Sequence, residues 1–261
     1  KFAFQDQVTA LQLIVLKAGL GAVVLVPLLG RKLLDYKSFL RLAPIGILLF
    51  ATNTLTLLAL SQISVVLLIT IVTTTPALVA LVNSVIGRDS LSSQFWIGFA
   101  MCFLGIVITL DFHDTNTNIL GLLCALAAAL SSTIYRVRME IICEKQEPVT
   151  AAGLTYFVQG VLTIFLLPLA MPFPAKALWF GSWIGISAAL ANIAFVSALN
   201  LVGSTRVSVL TMIQRPLLII AAAVFLKESV NFQQFVGIVL VMIGIQLAQV
   251  KRLARSTDQS T

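Results

Sequence analysis

The sequence predicts an all-α membrane protein. Nine transmembrane helices are visible, of a ten-helix fold built from two inverted five-helix repeats. Three observations predict it. Hydrophobic residues make up 59% of the 261 positions while only 10% are charged, and the mean hydropathy is +1.03, which is the composition of a chain dissolved in lipid. Nine apolar runs each approach the roughly 20 residues that a helical crossing needs. A set of sequence landmarks then recurs in the second half of the chain.

The runs are 8–29, 40–60, 63–86, 92–111, 118–142, 149–171, 178–200, 205–226 and 231–250. The breaks between them are short, which leaves no room for a soluble domain. The basic residues orient them. With residue 1 outside, the inner side receives Arg31, Lys32, Lys37, Arg41, Arg88, Arg136, Arg138, Lys145, Arg206, Lys251, Arg252 and Arg255. The outer side receives only Lys1, Lys176 and Lys227. This asymmetry is a positive-inside signal, supports nine crossings and puts the C-terminus in the cytoplasm. It also accounts for the net charge of +7 without a nucleic-acid partner.

The first run, VTALQLIVLKAG from Val8, matches VTAAGLTYFVQG from Val149. The second, IGILLFATN from Ile45, matches IGISAALAN from Ile184. In the third, Pro76 of TTTP falls opposite Pro216 of IQRP in the eighth. The fourth and ninth share an acid, then Ser, Gln, Gly and Gly: Asp89, Ser90, Gln94, Gly98 and Gly105 against Glu228, Ser229, Gln233, Gly237 and Gly244. Four spans thus recur in order, five crossings apart. Five is odd, so the copies enter the membrane in opposite senses, a hallmark of secondary transporters. The fifth run, 118–142, has no mate, and its partner is expected to precede Lys1. The first repeat is therefore 1–111, four helices with the first missing, and the second is 112–261, five helices with a cytoplasmic tail.

The Pro, acid, Gln, Gly and Gly pattern resembles the EamA branch of the drug/metabolite transporter (DMT) superfamily. The resemblance covers essentially the whole chain, and Asp89 stands where the family usually has Glu. It implies ten helices, a central cavity and alternating access.

Several residues have roles that follow from lipid as a solvent. Ser92 and Asn231 suit helix N-caps, and Asn231 with Gln234 has capping-box spacing. The paired glycines, seven apart, suit close helix packing. Pro76 and Pro216 each free a carbonyl four residues back, at Val72 and Met212. Such helix breaks are tolerated beside a cavity or where neighbouring side chains repair the backbone. They are the expected gating elements, the alternative being kinks repaired by threonines. Thr73, Thr74 and Thr75 precede one, and Thr211, Gln214 and Arg215 precede the other.

Asn53 and Asn192 are repeat mates inside apolar runs, with Thr56 one turn beyond Asn53. They either bridge helices within each half or face a common cavity. Arg215 is the leading binding candidate, a permanent cation within a span that calls for a cavity or a partner. All ten acids lie in loops, tails or near helix ends, so a solute anion is one candidate partner, and a snorkelling guanidinium is the other reading. Lys17 is the second cation within a span, and snorkelling ranks first for it. Ser131, Ser132, Tyr135, Tyr156 and Gln159 are candidate cavity groups or helix contacts. Cys102, Cys124 and Cys143 read as packing residues, and His113 as a surface histidine. No catalytic motif, cofactor site or metal site is expected.

The expected function is a secondary transporter in the bacterial cytoplasmic membrane, carrying small polar organic metabolites, with amino-acid export first. The substrate-binding set is Arg215, Gln214, Thr211, Asn53, Thr56, Asn192, Thr74, Ser132 and Tyr135. A nucleotide-sugar or phosphorylated-sugar exchanger is the alternative, and a non-transporting receptor or scaffold is a third reading. The expected partners are a small-molecule solute, the lipid bilayer and a second copy in a homodimer.

Overall fold

The computed structural model describes residues 2–29, 36–87, 91–109, 118–143, 146–226 and 231–258. Every regular element among them is a helix. In order these are α1 Phe2–Gln5, α2 Ala10–Leu29, α3 Tyr36–Gln62, α4 Val65–Thr73, α5 Thr75–Val85, α6 Ser93–Thr109, α7 Ile119–Cys143, α8 Pro148–Ala170, α9 Ala175–Leu226 and α10 Phe232–Asp258. In a bilayer each backbone group must find its partner within the segment, which is why apolar runs of this length form helices.

Six segments among the described residues are long and apolar enough to cross a membrane: Ala10–Pro27, Tyr36–Gln62, Val65–Val85, Ile119–Cys143, Pro148–Ala170 and Ala175–Ala198. Ser93–Thr109 and Phe232–Ala248 are shorter apolar helices, near the lower limit of about 17 residues for a crossing. The chain is an integral membrane protein. The eighth expected run, 205–226, is not a separate helix, because α9 continues unbroken from Ala175 to Leu226. The physical reason is local. Leu201–Arg206 (LVGSTR) contains one glycine and no proline, so nothing obliges the helix to stop.

The chain divides into two compact units. One comprises Lys1–Ser61 and Arg138–Gly203, the other Gln62–Val137 and Ser204–Thr261. Each therefore combines chain from both sides of residue 111.

In the first unit α2 packs along α8. A methyl group on Gly160 would lie 2.7 Å from Ala22 Cβ, and one on Gly153 would lie 2.5 Å from Leu29 Cδ2. Gly19 faces Thr163. As the α2 number rises the α8 number falls, so the helices are antiparallel. At the N-terminus of α2, Thr9 and Gln12 cap each other: the Thr9 amide donates to Gln12 Oε1 at 3.0 Å, and the Gln12 amide to Thr9 Oγ1 at 3.2 Å. This reciprocal capping box satisfies two otherwise orphaned donors.

In the second unit α6 packs along α10, also antiparallel. A methyl group on Gly105 would lie 2.6 Å from Gly237 O, and one on Gly244 would lie 2.6 Å from Gly98 O. Only glycine permits two backbones this close. The cap expected at Ser92 is present, as is the Gln234 half of the capping box expected at Asn231. The Phe95 amide donates to Ser92 Oγ at 3.3 Å, and the Asn231 amide to Gln234 Oε1 at 3.2 Å. Gln233 of the repeated motif donates from Nε2 to Ile108 O at 3.0 Å, tying the start of α10 to the end of α6.

Candidate functional site

In the first unit, a row of polar side chains lies between apolar helices. The Lys17 ammonium, on α2, donates to Asn53 Oδ1, on α3, at 2.7 Å. Asn53 Nδ2 donates to Gln159 Oε1, on α8, at 2.8 Å. Gln159 has no solvent exposure, and its Nε2 finds no acceptor among the described residues. Three helices are thus pinned by one relay. Asn53 bridges helices, to Lys17 within the first repeat and to Gln159 of the second, whereas the expected bridge lay within each half. Lys17 departs from expectation: its ammonium does not snorkel, because a side-chain amide meets it within the same unit.

One turn beyond Asn53, Thr56 Oγ1 donates to Thr52 O at 2.7 Å, and Thr52 Oγ1 donates to Leu48 O at 2.8 Å. The Thr56 hydroxyl spends its proton on its own helix and keeps lone pairs to accept with. Asn192 is half-buried on α9 in the same unit. Tyr156 is buried on α8, and a methyl group on Gly21 would lie 2.5 Å from its ring.

In the second unit the helix break before Pro76 is visible. α4 ends at Thr73, Thr74 is its C-cap, and α5 starts at Thr75 with the proline at its first turn. The Val72 carbonyl, which Pro76 cannot serve, accepts from Thr75 Oγ1 at 2.7 Å. Thr74 Oγ1 donates to Ile71 O at 2.7 Å, and Thr73 Oγ1 to Ile69 O at 2.6 Å. The threonine row therefore repairs the broken ladder, and Thr74 and Thr75 retain acceptor capacity. Deep in α5, Asn83 is buried, and its Oδ1 accepts from no described group. Tyr135 is buried on α7 and Ser132 half-buried beside it.

Thr211, Gln214, Arg215 and Pro216 lie on the helical backbone of α9. Their side chains lie outside the described residues. Of the expected set, Asn53, Thr56 and Asn192 belong to the first unit, and Thr74, Ser132 and Tyr135 to the second. The relay partners Lys17 and Gln159 stand outside that set. Their only signal was a cation within the first apolar run and an amide within the sixth, which nothing in the sequence links.

Comparison with known proteins gives two positive findings. The EamA-like transporter family matches residues 1–111 and 119–249. A solved structure described only as a protein crystal structure has a TM-score of 0.63 and 15% identity, covering 93% of this chain and 89% of its own. At that identity the likeness concerns the fold. No curated protein matches the chain.

Proposed function

The chain belongs to the EamA-like transporter family, and from that premise we propose that it is a secondary carrier of small polar organic solutes working by alternating access. The proposed solutes are amino acids or close relatives, moved outward across a bacterial cytoplasmic membrane with the C-terminus inside. The observation that carries this reading is the pattern of glycine contacts. Gly98 meets Gly244, and Gly105 meets Gly237. In the sequence repeat Gly98 corresponds to Gly237, and Gly105 to Gly244. When residue i meets the mate of j, and j meets the mate of i, the contact has two-fold character. Gly19 facing Thr163 and Gly160 facing Ala22 follow the same rule in the other unit. Two pairs of repeat mates, each joined by a local two-fold contact, support a ten-helix architecture of two inverted five-helix copies, which permits inward-open and outward-open states to mirror each other.

In this reading Arg215 holds the anionic group of the solute. Asn53, Asn192, Gln214, Thr211, Thr56, Thr74, Ser132 and Tyr135 supply directional hydrogen bonds. The lone pairs left on Thr56 and Thr74 suit a solute ammonium. Pro76 and Pro216 act as hinges. Nine crossings would need α9, helical throughout, to bend near Gly203.

The test is a radiolabelled solute screen in proteoliposomes containing the full-length chain, with Arg215→Ala alongside. Saturable flux of an amino acid, weakened by Arg215→Ala, supports the reading. Absence of flux for every amino acid and small polar metabolite tried would overturn it.

A further inference from the structure

We propose that Lys17, held by Asn53 and Gln159, is a binding subsite for the carboxylate of a small organic solute. It rests on the transport reading for its biological sense, and adds a second cation to Arg215.

A lysine ammonium has three N–H groups and no acceptor. The Asn53 atom 2.7 Å from Lys17 Nζ must therefore be the oxygen, since the nitrogen would set donor against donor. That fixes the Asn53 nitrogen towards α8, where it meets Gln159 at 2.8 Å. The Gln159 atom there must then be Oε1, which leaves Gln159 Nε2 without an acceptor among the described residues. One ammonium thus sets the polarity of the whole relay.

The relay is unbalanced. Two N–H groups remain on Lys17, one on Asn53 and two on Gln159, and no acceptor among the described residues takes them. No described carboxylate pairs with Lys17 either. An unpaired charge and unserved donors within apolar helices carry a substantial cost, and an intramembrane cation calls for a partner. An oxygen acceptor would serve these donors, and a negative one would also pair the ammonium. An oxygen anion does both, and a carboxylate is the form an amino-acid-like solute carries. Lys17 is only half-buried, so it is the binding group. Besides the hydrogen bond Asn53 can still donate, Asn53 and Gln159 position the ammonium, together keeping an oxygen rather than an N–H against it.

The test uses the full-length protein purified in detergent and thermal unfolding as the readout. The probes are the twenty L-amino acids, their carboxamides and inorganic phosphate. The variants are Lys17→Met, Arg215→Ala and Asn53→Asp, the last placing a carboxylate where Lys17 already has its partner. One or more amino acids should stabilise the wild type, while the matching carboxamides should not. Lys17→Met and Asn53→Asp should each weaken that affinity about tenfold to a hundredfold, the worth of a hydrogen bond to a charged group. Asn53→Asp keeps a partner for Lys17, so it decides the matter if Lys17→Met does not fold. Stabilisation that persists in Asn53→Asp overturns the proposal. So does a wild type that no amino acid stabilises, or one stabilised by phosphate alone. Flux measured in parallel separates the two readings. Carboxylate binding at Lys17 without flux contradicts transport and leaves the subsite standing. Flux and amino-acid affinity untouched by both Lys17 and Asn53 variants do the reverse.

Discussion

Gly105 and Gly237 face one another so closely that a methyl group on either would lie 2.6 Å from the other's carbonyl oxygen. Neither oxygen can move aside, because each belongs to a helical ladder. Gly105→Ala and Gly237→Ala are each expected to destabilise the protein by about 1–3 kcal/mol, the usual cost of overpacking. Thermal unfolding in detergent checks this. Gly19→Ala is the control. There the nearest atom, Thr163 Cγ2, stands 3.5 Å away in ordinary contact, and little change is expected.

The relay between α2, α3 and α8 gives a second expectation. Asn53→Leu removes the acceptor from Lys17 and the donor from Gln159 Oε1. It is expected to cost about 1–3 kcal/mol, the penalty for a stranded buried polar group. Asn53→Asp should cost less, because the ammonium keeps an oxygen. Equal unfolding temperatures for the two variants would contradict the relay.

The helix break before Pro76 separates a structural from a mobile role. Thr75→Val leaves the Val72 carbonyl without the hydroxyl that now serves it, and should destabilise by about 1 kcal/mol. Pro76→Ala restores an N–H for that carbonyl and closes the break. If the break is a hinge, Pro76→Ala lowers the rate of solute flux while leaving stability unchanged or raised. An unchanged rate would make the break a passive kink.

Helix α9 joins two expected crossings, 178–200 and 205–226. The positive-inside pattern of the sequence predicts Arg206 on the cytoplasmic side. Ser204→Cys in a cysteine-free background should therefore react with a membrane-impermeant maleimide from the cytoplasmic face. Failure to react from either face would show that α9 carries this region through lipid without a turn.

Much of this was legible in the sequence, because the relevant physics is local. Apolar length makes α2, α3, α7 and α8. Short-range side-chain chemistry puts the caps at Ser92 and Asn231, and proline with its threonines breaks the chain between α4 and α5. The glycine pairs announced their close contact because each pair stands seven residues apart on one helix face. The relay was not legible. Lys17 meets Asn53 across 36 positions and Asn53 meets Gln159 across 106, and no period or motif links them. The long reach of lysine made an escape to the interface look cheaper than a partner whose position the sequence does not encode. The continuity of α9 escaped for the opposite reason. Bilayer thickness argued for a break at a place where the local sequence, a lone glycine among helix-tolerant residues, does not impose one.

The account stands most directly on the sense in which the two copies cross the membrane. Ser92 and Asn231 occupy the same cap position in the fourth and last crossings, each bonding within its own motif. Cysteines placed there singly and labelled from one face with an impermeant maleimide give the answer. Opposite faces, Ser92 inside and Asn231 outside, are the expected result. Labelling of both from the same face would contradict it.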